Sequence, residues 1–249
     1  LEVLQDIDDE SVDLIFCDLP YGQTSCKWDC PIDLDKFWIE IMRVKKLHTP
    51  IFMTTTTKFG VNLITSAPKK CPFRYDLVWV KSAPAGFLSA KKMPMRKHEM
   101  VYAFYEKLPL YDLSSHTHKF IKAVPTSVVK EPEPEPEEPN SNKNSELYGA
   151  LKDNGYHHLR KKGETTAYDP PLPNSILEIK TTMGKHSTEK PVALMEWLLK
   201  YYSKEGDVVL DPTMGSGSTG IACKNMNRNF IGIEMDDEIY EVACNRIES

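Results

Sequence analysis

One stretch of this chain limits its fold more than any other: Val208-Val209-Leu210-Asp211-Pro212-Thr213-Met214-Gly215-Ser216-Gly217-Ser218-Thr219-Gly220. A short apolar run of β-forming residues enters a glycine-rich turn and leaves it as a helix. The glycines let the backbone approach a ligand closely, and the start of the helix offers unpaired N–H groups. A second strand, Phe230-Ile231-Gly232-Ile233-Glu234, follows and ends in a carboxylate that could accept hydrogen bonds from two ribose hydroxyls. This is the arrangement of a nucleoside-cofactor site at the carboxyl ends of adjacent parallel strands. The string GSGSTG resembles a dinucleotide fingerprint, but an acidic residue precedes its glycines and the pyrophosphate signature is missing. No GK[ST] occurs, which excludes a phosphate P-loop. The bland alternative is a glycine-rich turn with no ligand.

The rest of the chain continues the alternation. Val12 to Cys17 reads as a buried strand, Asp33 to Lys46 as a helix with Leu34, Phe37, Trp38, Ile41 and Met42 on one face, and Ile51 to Thr56 as a strand. Lys58 to Ser66 reads as a helix, and Tyr75 to Val80 and Met100 to Tyr105 as strands. Near the C-terminus come a helix over Lys190 to Ser203 with Pro191 in its first turn, a strand over Asp207 to Leu210, a helix over Ser218 to Asn225, the strand Phe230 to Glu234 and a helix over Asp237 to Ile247. This order calls for an α/β, doubly wound, mostly parallel sheet covered on both faces. Between the halves, Glu131 to Pro139 alternates Glu with Pro and can neither form a helix nor bury apolar area. With the polar run that follows, residues 131–144 are expected to be an extended, solvated linker.

A chain of 249 residues can hold one sizeable core with a smaller module. No apolar run approaches the roughly 20 residues that cross a bilayer. Cys17, Cys26, Cys30, Cys71, Cys223 and Cys244 form no CxxC pair and share no zinc spacing with His, so they read as reduced thiols of a cytoplasmic protein without a metal site. The chain opens on Leu1 rather than Met, and its opening is expected to be incomplete. The formal charge of -5 hides a strong asymmetry. Between Pro68 and Lys130, 12 Lys and Arg face 4 Asp and Glu, a stretch suited to phosphates. Its densest run holds Lys91, Lys92, Arg96 and Lys97, and a solvated loop is the bland reading of that run.

A second constellation, Asp18-Leu19-Pro20-Tyr21, closes the first apolar strand. The exocyclic amino group of a base is a poor nucleophile because its lone pair is delocalised into the ring. A carboxylate and a backbone carbonyl accepting its two N–H bonds would draw the nitrogen toward tetrahedral geometry, while an aromatic ring stacks on the base. Four consecutive residues can supply all three. Alone, such a string is most simply a turn. Tyr168-Asp169-Pro170-Pro171 shows the hazard and receives no catalytic role.

Together these residues resemble the β arrangement of the DNA amino-methyltransferases, in which the catalytic motif precedes the cofactor motif. Asp18 to Tyr21 resembles the family's DPPY, Asp211 to Gly220 its glycine-rich loop and Phe230 to Glu234 its ribose-binding strand. His98-Glu99 ahead of the Met100 strand, and the segment from His186 and Ser187 through Lys190 and Pro191, are similar to further family motifs. The resemblance implies a permuted Rossmann-like fold with a reversed edge strand and a small target-recognition insertion. It divides the chain into a catalytic half (1–106), the insertion (107–173) and a cofactor half (174–249).

The resemblance further implies S-adenosylmethionine as cofactor, held by Asp211, Pro212, Met214, Gly215, Gly217, Thr219, Glu234, Met235, His186, Ser187, Lys190 and Pro191. DNA is the implied partner, met by Lys91, Lys92, Arg96 and Lys97, and a homodimer is admitted. A flipped base would stack on Tyr21 with its amino group bonded to Asp18 and the Leu19 carbonyl. Leu19 stands where the family has its first Pro, and Ser187 where it often has another. The family usually carries a Gly-Asp pair just upstream of a segment like Leu1 to Leu4, so part of the cofactor pocket is expected to lie outside this sequence. Asp18 favours adenine N6 as the target, with cytosine N4 and a non-catalytic DNA-binding subunit as alternatives.

Overall fold

The computed structural model describes residues 1–22, 32–122, 164–181 and 189–249. They fall into two compact units, Leu1–Leu113 with Pro173–Ser249, and Ser114–Leu172.

The first unit is built on a seven-stranded sheet. In chain order its elements are β1 (Leu14–Cys17), α1 (Leu34–Val44), β2 (Ile51–Thr55), α2 (Thr57–Ser66), β3 (Phe73–Ala85) and β4 (Arg96–Phe104). After the strands β5 (Thr117–Lys122) and β6 (Glu164–Asp169) of the second unit come β7 (Ile176–Leu177), α3 (Val192–Tyr202), β8 (Val208–Asp211), α4 (Ser218–Asn225), β9 (Asn229–Gly232) and α5 (Asp237–Glu248). Spatial order across the sheet is β7-β3-β4-β2-β1-β8-β9. β1 runs parallel to β2 and to β8, and β8 parallel to β9. Only β4 is reversed, antiparallel to both β2 and β3. The reversed strand expected at an edge therefore lies inside the sheet, because β3 and the two-residue β7 add beyond it. So short a strand leaves no periodic signal in the sequence.

Period-two alternation explains how the sheet holds a core on each face. From β1, Ile15 and Cys17 pack with Phe37, Trp38, Ile41 and Leu63 of α1 and α2, while Leu14 and Phe16 pack with Leu194, Leu198 and Leu199 of α3. All four residues of β1 are buried, as expected of a central parallel strand covered on both sides. The helices begin where the sequence offers caps. Asp33 accepts from the Lys36 N–H at 3.2 Å, Thr56 from Phe59 at 3.3 Å, and Asp236 from Glu238 and Ile239 at 3.0 and 3.1 Å. Trp38 and Trp79 are core residues whose indole N–H groups donate to Ser66 and to the Ile179 carbonyl.

Within the second unit, β5 and β6 form an antiparallel ribbon from Thr117 opposite Asp169 to Lys122 opposite Glu164. Its base is fastened by the His116 ring nitrogen against the Pro170 carbonyl at 2.8 Å. The 131–144 linker, Trp28 and the basic cluster His157 to Lys162 lie outside the described residues.

Candidate active site

The order in which strands are added reverses at β1, although its neighbours on both sides run parallel to it. Connections lead first from β1 to β2 on one side, and later to β8 on the other. In open α/β sheets such a switch point leaves a crevice beyond the carboxyl ends of the two strands. Both sequence constellations sit there. The Asp18 turn leaves β1 and the glycine-rich turn leaves β8, which pair as Ile15 with Leu210. The Asp18 backbone N–H donates to the Thr213 hydroxyl at 3.1 Å, joining the two turns directly.

The Asp18 carboxylate gathers three side-chain donors. One oxygen accepts from the Tyr21 hydroxyl at 3.0 Å and from the hydroxyl of Thr54 at the end of β2, and the other pairs with Lys190. Burial, with the Asp18 charge beside it, pushes the Tyr21 phenol far above its usual range, so it remains a neutral donor. The Tyr21 ring lies 5.3 Å from that of Phe59 at an interplanar angle of 36°. Leu19, in place of the family's Pro, is buried with the α1–α2 face of the core and anchors the turn by its side chain.

Behind Asp18 the charges continue. Lys190 lies 3.7 Å from Glu99 of β4, and Glu99 pairs with Lys81 of β3. Burial alone would lower the Lys190 ammonium, but the nearby Asp18 and Glu99 charges outweigh it and hold it above its ordinary value. One Glu99 carboxylate oxygen is buried with no hydrogen-bond partner.

On the other side, Asp211 is 2% exposed and accepts from the Thr219 hydroxyl at 2.6 Å and the Thr213 N–H at 3.1 Å. Burial pushes its carboxyl up to about 7, against those two bonds. Thr219 thus supports the turn through Asp211. Gly217 takes φ +84°, and a Cβ there would stand 3.1 Å from the Ala243 and Ile247 side chains, so only glycine enters α4 without strain. Glu234 accepts from the Met235 and Asp236 N–H groups on one oxygen, at 2.8 and 3.0 Å, and from the Gly215 N–H on the other at 3.0 Å. These three bonds leave Glu234 one acceptor direction unfilled by the backbone. Glu189 buttresses the turn by accepting from Arg246 at 2.6 Å and Ser218 at 3.3 Å, while Arg246 also donates to the Ser216 carbonyl at 2.6 Å.

The structure brings Asp18, Leu19, Pro20 and Tyr21 to one sheet edge with Asp211, Pro212, Met214, Gly215, Gly217, Thr219 and Glu234. Met214 is buried and its N–H donates to the Ile233 carbonyl at 2.9 Å, whereas Met235 is 82% exposed. Pro191 is the N-cap residue of α3. Lys190, expected on the cofactor, meets the Asp18 carboxylate. His186 and Ser187 lie outside the described residues. Lys91, Lys92, Arg96 and Lys97 are exposed between β3 and at the start of β4, beside the equally exposed Phe87 and Leu88. A separate cleft lined by Asp35, Trp38, Lys45, Lys70 and Glu106 holds none of the expected site residues. Thr54, Lys81 and Arg246 were not marked by the sequence, and Thr213 only as a member of the glycine-rich turn. Thr54 left a weak signal, as one of the hydroxyls that close an otherwise apolar buried strand.

With both motifs at one edge and the Asp18 turn ahead of the glycine-rich turn in chain order, the family follows. The model of the DNA methylase family N6_N4_Mtase matches residues 12–245. This chain belongs to that family. The order of its motifs is that of the β-class DNA amino-methyltransferases. Type II methyltransferase M2.DpnII of Streptococcus pneumoniae is 46% identical over 66 residues, 26% of this chain and 25% of that protein. The match thus spans about a quarter of that relative's length. Among solved structures, the M1.HpyAVI complex with S-adenosylmethionine superposes with a TM-score of 0.59 at 21% identity, over 98% of this chain and 94% of that one. The PvuII DNA methyltransferase, cytosine-N4-specific, gives 0.63 at 13% identity over 98% and 82%. At these identities the two structures report the fold.

Proposed function

We propose that this methylase transfers a methyl group from S-adenosylmethionine to the N6 amino group of adenine in DNA. The observation that carries the reading is the bond from the Asp18 N–H to Thr213, which fixes the base-side carboxylate against the cofactor-side turn. The cofactor turn fits a nucleoside ligand: Gly215 and Gly217 take positive φ, Glu234 keeps an acceptor direction, and the buried acid Asp211 stiffens the bend. Bound there, the cofactor supplies an electrophilic methyl group.

The chain's own residues prepare the nucleophile. The Asp18 carboxylate and the Leu19 carbonyl accept the two N–H bonds of the target amine and localise its lone pair on nitrogen, and the Tyr21 ring stacks on the base. Holding both reactants at one edge removes most of the entropic cost of the encounter. Asp18 acts as its anion, and the proton leaves after the methyl arrives. Lys91, Lys92, Arg96 and Lys97 meet the phosphates, and target recognition is assigned to residues 107–173.

The test is incubation with methyl-labelled S-adenosylmethionine and mixed DNA, followed by digestion to nucleosides. Label should appear in N6-methyldeoxyadenosine and vanish with Asp18→Ala. Label in N4-methyldeoxycytidine would move the target to cytosine, where the fold of the PvuII enzyme already stands. Cofactor binding without any transfer would mark a non-catalytic DNA-binding subunit.

A further inference from the structure

Four charged side chains from four separate places in the chain meet at the catalytic turn. Asp18 follows β1, Lys81 lies on β3, Glu99 on β4 and Lys190 just before α3. Their side chains are 27%, 20%, 17% and 11% exposed, respectively. Such burial sets this brace apart from surface ion pairs, which contribute little. The row runs Asp18, Lys190, Glu99, Lys81, with signs alternating and net charge zero. Antiparallel pairing of Trp79 with Glu99 brings Lys81 and Glu99 close across the hairpin. The Glu99 oxygen that is buried without a hydrogen-bond partner lies 3.7 Å from the Lys190 ammonium.

A buried carboxylate oxygen that accepts no hydrogen bond is costly and calls for an explanation. We propose that Lys190 is a positioning residue for the Asp18 carboxylate, keeping it ionised and oriented for the target amine, and that Glu99, held by Lys81, sets the position and net charge of that brace. The inference rests on the methylation reading above. Lys190 orients one Asp18 oxygen while Tyr21 and Thr54 saturate the other, so the remaining acceptor direction belongs to the oxygen that Lys190 fixes. The other titratable groups facing Asp18 are Asp211, across the two turns, and the neighbouring Cys17 and Tyr21, which burial holds neutral.

Charge arithmetic gives opposite signs for two substitutions. Lys190→Gln leaves the brace at minus one and Glu99→Gln leaves it at plus one. Titration of Asp18 followed by carbon NMR with labelled aspartate needs no turnover. Its midpoint should rise by about one to three pH units in Lys190→Gln, fall in Glu99→Gln, and return toward the wild type in the double variant. The acid limb of the pH–rate profile should move with it. Lys190→Arg keeps the charge and should keep the wild-type midpoint, which guards against misreading a folding defect. Affinity for S-adenosylmethionine in Lys190→Gln should stay within about threefold of wild type, below 1 kcal/mol.

Midpoints that stay put in both single variants, with weakened cofactor binding in Lys190→Gln, would return Lys190 to the cofactor pocket and overturn the proposal. Opposed NMR shifts in the two variants, with a wild type that transfers no methyl, would instead sink the methylation reading.

Discussion

The Asp18 N–H and the Thr213 hydroxyl meet at 3.1 Å although 195 residues separate them. Thr213→Val keeps the shape of the side chain but leaves a half-buried N–H without its partner, at a cost of about 1–3 kcal/mol. We expect a lower melting temperature and a kcat reduced about tenfold or more, since the two turns lose their direct tie. Cofactor affinity should change far less. Calorimetric titration beside steady-state kinetics checks the split, and an unaltered kcat would show that the turns are aligned by the sheet alone.

Tyr21 offers two separable contributions, a ring and a hydroxyl. Tyr21→Phe keeps the ring beside Phe59 and loses only the bond to Asp18. Tyr21→Ala loses the stacking surface, worth about 1–3 kcal/mol per base. The KM for DNA should therefore rise about tenfold to a hundredfold in the alanine variant and only a fewfold in the phenylalanine variant. Equal effects would mean that the ring holds no base.

Asp211 provides a pH test. Burial raises its carboxyl from 3.8 to about 7 in the folded chain. A carboxyl raised on folding favours the folded state most below its unfolded value, and that contribution fades as pH climbs from about 4 to about 7. The loss is bounded at roughly 4 kcal/mol. Urea unfolding at pH 5 and pH 8 should show a larger loss for the wild type than for Asp211→Asn. Matching losses in the two proteins would place the pH dependence elsewhere.

Much of this site was legible because its two motifs are local. α4 begins at Ser218 and ends at Asn225, the bounds read from the sequence, because a glycine turn and a helix start announce themselves over a few residues. The β3–β4 hairpin was legible only in its inner halves, Tyr75 to Val80 and Met100 onward. Its strands reach 13 and 9 residues, but their outer halves are largely exposed, of small or polar residues, and broken by a register shift between Val80 and Ala85, so neither period two nor burial marks them. The brace at Asp18 was equally silent. Lys190 is 172 residues from Asp18, and nothing in its own neighbourhood tells which carboxylate it will meet.

The basic run on that hairpin can be tested by salt. Each phosphate contact contributes about 0.9 to the slope of log affinity against log salt. Replacing Lys91, Lys92, Arg96 and Lys97 by Gln should flatten the slope by about that amount for each residue that touches DNA. The cofactor affinity should be untouched. A slope identical to wild type would make the run a merely solvated loop.

The single reversal of direction at β4 has an evolutionary corollary. Since β3 points the same way as β1 and β8, its connection to β4 emerges at the edge where both turns lie. Residues can be inserted or deleted at that tip without shifting a strand, a cap or a turn glycine. The length of that tip can thus vary in nature while the geometry beneath stays as it is.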